Sequence, residues 1–230
     1  MKVSTPSLIL FFIASLLSII FRLSGHEMIE LYFRSTIIPS LFIYYLVSNN
    51  YKISFFRTVI LFTLFVRDVL VVLKIPESAL GSFLCVLFVY LLLLYVAFKD
   101  FEFFKFDKTD LISAFVSIIG ISAICYSVLN LKLENLELDF SLYVVFGIIL
   151  SLLSIISILN YIKNASYVFF NALLMCVCYV ISDIFFVVSK FYFYTEAFAL
   201  ISLITQFLSY FFMVNYFLEK NKKVEDLNNY

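Results

Sequence analysis

The chain has 230 residues, 64% of them hydrophobic, 20% aromatic and only 14% charged, against about 25% charged in soluble domains. With a mean hydropathy of +1.07, this composition excludes a water-soluble globule and predicts an all-α polytopic membrane bundle, since each span takes roughly 20 apolar residues and eight take about 160. Sixteen basic and sixteen acidic residues cancel, and neither sign clusters into a surface for nucleic acid.

Apolar stretches run over 8–21, 34–47, 54–73, 80–98, 111–131, 140–159, 166–188 and 197–217, which predicts eight transmembrane helices in one membrane domain, with 218–230 as a tail. The first stretch also has the charged start of a signal peptide, but Arg22 and Leu23 follow it where small cleavage-site residues would stand, which favours a retained helix. The second stretch is apolar only from Thr36 to Val47, and beginning it at Arg34, whose stem can snorkel, gives a sufficient span and puts Pro39 in its first turns. The segment from Lys99 to Asp110 reads as a solvated charged turn.

Loop charge orients the bundle. With the N-terminus inside, Lys2, Lys52, Arg57, Lys99, Lys105, Lys108, Lys163, Lys220, Lys222 and Lys223 make ten inner cations against five outer ones, Arg22, Arg34, Lys74, Lys132 and Lys190. The positive-inside rule then puts both termini in the cytoplasm, and the expected location is the bacterial inner membrane. Trp is absent, so Tyr44, Tyr45, Tyr51, Tyr192 and Tyr194 near helix ends are expected to form the interfacial belt.

Several chemistries lack their residues. Cys85, Cys125, Cys176 and Cys178 lie in apolar runs and read as small packing residues, and one histidine, His26, cannot build a multi-histidine metal site. Four glycines supply no phosphate-cradling loop, and no Ser-His-Asp set can be assembled. Asn164-Ala165-Ser166 matches a glycosylation acceptor, but the predicted topology puts it inside.

Three charges are left within the spans: Arg67 and Asp68 in the third helix and Asp183 in the seventh. A mid-helix aspartate costs about 2.5 to 3.5 kcal/mol on insertion scales, so it is paired, protonated or facing a wet cavity. An Arg67 pair with Asp68 or Asp183 that locks helices is one reading; a functional site is the other. Asp68 lies 14 residues beyond Ser54 and Asp183 lies 17 beyond Ser166, roughly 21 and 25 Å up two parallel helices. Arg34 and His26 fall above them, and Gln206 in the eighth helix is a neutral group able to join them or to bond another helix.

These residues carry a resemblance. Ser182-Asp183 followed by Lys190-Phe191, the third-helix run Arg67-Asp68-Val69-Leu70, Arg34 with Pro39 five positions on, and Gln206 in the last helix resemble the YhhN-type lysoplasmalogenase family over essentially the whole chain. Arg67 stands where that family usually has Gly, and Leu92 takes the histidine position of a His-x-x-Tyr pattern ending at Tyr95. The resemblance implies an eight-helix membrane enzyme that hydrolyses the vinyl ether bond of lysoplasmalogens to a fatty aldehyde and a glycerophospho-base. It implies Asp68 and Asp183 as catalytic residues, Arg34, Gln206 and Ser182 as substrate-binding residues, a lysolipid as partner, and no metal or other cofactor; Arg67, a departure from the family, is expected to bind substrate through the lipid phosphate. Two carboxyl groups suit the reaction, one giving the proton that makes an oxocarbenium ion and the other orienting water. A non-enzymatic lipid or solute carrier is the alternative. An intramembrane aspartyl protease is disfavoured because no Tyr-Asp or Gly-x-Gly-Asp surrounds either aspartate.

Overall fold

The computed structural model describes residues 4–73, 78–101, 107–131 and 139–228. They form eight helices: α1 (Thr5–Leu23), α2 (Glu27–Ser48), α3 (Phe55–Leu73), α4 (Ser78–Lys99), α5 (Lys108–Leu129), α6 (Phe140–Lys163), α7 (Tyr167–Phe191) and α8 (Glu196–Asn228). Seven of them, not eight, are long and apolar enough to cross a membrane; α3 is the exception. Its 19 residues include Arg57, Arg67 and Asp68, and this charge sets it apart. Lys2, Lys74, Lys105 and Lys132, four of the cations that orient the chain, lie outside the described residues.

The largest departures from the expected bounds are the start of α2 and the end of α8. α1 ends in a Schellman turn, with Gly25 at φ 72°, His26 N–H on the Phe21 carbonyl at 2.9 Å and Gly25 N–H on that of Arg22 at 3.2 Å. The turn reverses the chain within a few residues, so α2 starts at Glu27 rather than at Arg34. Hydropathy stops at Arg34 because Glu30 and Arg34 count as polar, yet Glu30 is only 2% exposed. Pro39 consequently falls in the interior of α2 and not in its first turns. There its missing N–H leaves the Ser35 carbonyl without a helical donor. Nearby, the Ser35, Thr36 and Ser40 hydroxyls bond carbonyls one turn back. At the other end of the chain, the expected tail is helical as far as Asn228.

Neighbouring helices pack as hairpins, α1 with α2, α3 with α4, α5 with α6 and α7 with α8; α6 also joins α4, and α8 closes on α1 and α2. Ile37, Leu41, Ile60, Val89, Leu153 and Phe217 are among the fully enclosed side chains. Tyr45, expected at the interface, is also in this core at 0% exposure, edge-on to Phe217, whereas Tyr51, Tyr192 and Tyr194 are exposed. All four cysteines are free.

Polar contacts fix α8 at the end of the bundle where the α2–α3 turn lies. Asp100 accepts from Lys220 Nζ at 2.6 and 2.7 Å and from Tyr216 at 2.8 Å. Arg57 donates to the side-chain Oδ1 of Asn221, and Asn221 Nδ2 donates to Asn49 Oδ1 at 2.7 Å. Asn49 in turn holds the Lys52 carbonyl across the turn containing left-handed Asn50 and Tyr51. Consecutive residues of α8, Lys220 and Asn221, therefore grip Asp100 just past α4 on one side and α2–α3 on the other.

Candidate functional site

The membrane charges form two neighbouring groups at the opposite end of the bundle. The first is a chain of ion pairs from α1 to α3. Arg22 Nη1 meets Glu30 Oε2 at 3.3 Å, Glu30 Oε1 lies 3.9 Å from Arg34 Nη1, Arg34 Nε lies 3.9 Å from Asp68 Oδ1, and Arg67 Nη1 donates to the same oxygen at 3.0 Å. Glu30 precedes Arg34 by one turn, the spacing that puts two side chains on one helix face. Helix α8 supplies the neutral ligands: Gln206 Oε1 accepts from Arg34 Nη2 at 2.8 Å and the Tyr210 hydroxyl from Arg67 Nη1 at 2.9 Å. Gln206 and Tyr210 are four residues apart, so one face of α8 holds both guanidiniums.

Asp68 is 1% exposed. Its Oδ2, together with Arg34 Nε and Arg67 Nε, is buried without a hydrogen-bond partner among the described residues.

The second group centres on Asp183. Tyr90 of α4, 1% exposed, donates its hydroxyl to Asp183 Oδ2 at 2.6 Å. The Tyr90 ring is held by Tyr179 at 4.9 Å and Phe146 at 5.2 Å. Asp183 also forms part of the wall of a cavity of about 100 Å³ between α5, α6 and α7. Ile121, Ile124 and Val128 of α5, Phe146 and Leu150 of α6, and Val180, Ile184 and Val187 of α7 make most of that wall apolar. Asp183 is its one charged residue among those described. Gly147 brings α6 against α5: a Cβ there would stand 3.1 Å from Cys125 Sγ.

The expected residues are thus divided. Arg34, Arg67, Gln206 and Asp68 come together, while Asp183 has a different hydrogen-bond partner, Tyr90. Arg67 is within electrostatic reach of Asp183 as well as Asp68, and Tyr210 is within reach of both acids. α7 runs to Phe191, so Asp183 is eight residues from its end while Asp68 is five from the end of α3. Ser182 is engaged elsewhere: its hydroxyl bonds the Ser202 carbonyl at 3.0 Å and the Ser202 hydroxyl returns the bond at 2.9 Å, bolting α7 to α8. His26 is exposed beside Phe21, outside these contacts.

Sequence reading missed Glu30, Tyr90 and Tyr210. Glu30 carries a signal, its spacing from Arg34; nothing distinguishes Tyr90 and Tyr210 among 16 tyrosines. No three His, Cys, Asp or Glu side chains converge as metal ligands among the described residues. Compared with family models, curated proteins and solved structures, the chain finds no match in any of the three.

Proposed function

We propose that this membrane protein hydrolyses the vinyl ether bond of a lysoplasmalogen, with Asp183 as its acid. The observation that carries the reading is a single carboxyl group in the wall of an apolar cavity, beside a cluster of guanidiniums. An ether lipid has the matching halves: an apolar chain to enter the cavity and a phosphate to meet Arg34 and Arg67. At about 100 Å³, smaller than engineered cavities of about 150 Å³ that hold benzene, the pocket takes a short length of chain around the reacting carbons. The remainder lies along the lipid-facing helices.

In this reading α3 is an eighth span, its outward face apolar through Phe55, Phe56 and Phe62, and its inward charges matched by α2 and α8. Both termini are cytoplasmic, from the loop-charge asymmetry. The reaction begins when Asp183 adds its proton to the vinyl carbon remote from oxygen, leaving an oxocarbenium ion. Water attacks the carbon bearing oxygen and yields its proton to the carboxylate. The hemiacetal then collapses to a fatty aldehyde and the free glycerol hydroxyl, and the acid is regenerated. Tyr90 aims the carboxyl group by holding Oδ2.

Purified protein supplied with a 1-alkenyl lysophospholipid should release fatty aldehyde without added metal or cofactor, and Asp183→Asn should lower turnover by roughly 10²-fold or more. The alternative, a lipid-binding carrier without turnover, draws on the apolar cavity alone. Copurified lipid with no aldehyde release from the intact protein would favour it.

A further inference from the structure

We infer that Asp68 is a specificity residue that accepts a hydrogen bond from the free glycerol hydroxyl of a single-chain lipid; this rests on the lipid reading above. The reason is the set of bonding positions left open around it. Asp68 Oδ2 accepts from no described residue, and Arg34 Nε and Arg67 Nε donate to none. Buried polar groups without partners are costly, and each needs an explanation. Their complement is a molecule with one hydroxyl donor and anionic oxygens close by.

Charge points the same way. Three cations, Arg22, Arg34 and Arg67, are linked to two anions, Glu30 and Asp68. With the nearby Asp183 carrying the proton that its role as acid requires, one phosphodiester neutralises the remaining positive charge of this chain. A glycerophosphodiester with a free hydroxyl therefore supplies acceptors for both Nε–H groups and a donor for Oδ2. A two-chain lipid carries an ester at that position, which accepts only and would set its oxygen against the carboxylate. A fatty acid brings acceptors and no donor.

Access is through the guanidiniums, whose side chains are 14% and 13% exposed above an Asp68 that is 1% exposed. Arg34 lies 3.9 Å from Asp68, too long for a hydrogen bond, so it is the side that opens. Tyr210 and Gln206 hold the two guanidiniums apart from α8. The division of labour is then Asp183 for the proton and Asp68 for the hydroxyl.

The test uses binding alone, with saturated ligands that cannot be hydrolysed. Affinities of the purified full chain are measured for a 1-O-alkyl glycerophosphocholine and for its 2-O-methyl counterpart. The free-hydroxyl ligand should bind about 10- to 100-fold more tightly, the worth of one hydrogen bond to a charged group. Asp68→Asn should cut that preference severalfold, and Asp68→Asn with Arg34→Gln, which keeps the charge balance if the single variant misfolds, should do the same. Asp183→Asn should keep the preference. Equal binding of the two ligands to the native protein, or a full preference surviving the loss of Asp68, overturns the inference while leaving the lipid reading intact. No binding of either ligand to the native protein overturns both.

Discussion

Arg67 is the side chain on which the charged core turns, because it gives Asp68 its one hydrogen bond from a described residue and uses the same nitrogen to hold Tyr210. Removing one partner of a buried ion pair leaves the other uncompensated, typically at a cost of about 3–5 kcal/mol. Arg34 stays near Asp68 and softens that loss, so Arg67→Gln should destabilise the bundle by about 2–4 kcal/mol. Adding Asp68→Asn should recover much of this in equilibrium unfolding from detergent micelles. A single variant as stable as the parent would show that the pair contributes nothing. Tyr90 acts on chemistry instead. Tyr90→Phe removes the 2.6 Å bond to Asp183 and should lower kcat roughly 10-fold with little change in KM, as expected for one hydrogen bond to an ionisable group. A change confined to KM would assign Tyr90 to binding.

At the scale of elements, α5 and α8 illustrate opposite kinds of packing. α5 leans mainly on α6 and has no buried side chain over Asp110–Leu129, so the cavity wall that it forms is easily reshaped. Gly147→Leu places a side chain both in the cavity and against Cys125. It should lower kcat/KM by about 10-fold or more, the effect of altering an apolar pocket by a methylene or more, and shorter-chain substrates should escape part of the loss. Equal effects at every chain length would remove the cavity from the substrate path. α8 is gripped along its length, by Arg34 and Arg67 within the bundle and by Asp100, Arg57 and Asn49 at its end. Lys220→Ala should cost about 1–3 kcal/mol through its lost bonds to Asp100, read by the same unfolding measurement.

For the whole molecule, helix number was legible in the sequence because runs of apolar residues separated by polar turns leave few other solutions. The early start of α2 was not, because a buried Glu30–Arg34 pair looks like a loop to any scale that scores residues singly. Asp68, Arg67 and Asp183 stand out as charges within apolar helices, and Arg34 and Gln206 join them by predicted position. Their partners Tyr90 and Tyr210 were hidden, since a tyrosine gains meaning only from a neighbour on another helix. Residues far apart in the chain, such as Arg34 and Gln206, meet only through the packing of α8 on α2. The proposed orientation can be tested on a background with the four native cysteines replaced. A cysteine at Ser24 should react with an impermeant maleimide in intact cells, and one at Asn164 should react only after permeabilisation. The reverse pattern would invert the bundle and move the charged end to the cytoplasmic side.

The most direct measurement is fatty aldehyde release from a 1-alkenyl lysophospholipid by the purified chain, compared side by side with Asp183→Asn. Steady release by the native protein is expected, with a fall of roughly 10²-fold or more in a variant that stays folded. Undiminished release by Asp183→Asn would contradict the role of the cavity carboxyl group, and no release by the native protein across head groups and chain lengths would contradict hydrolysis itself.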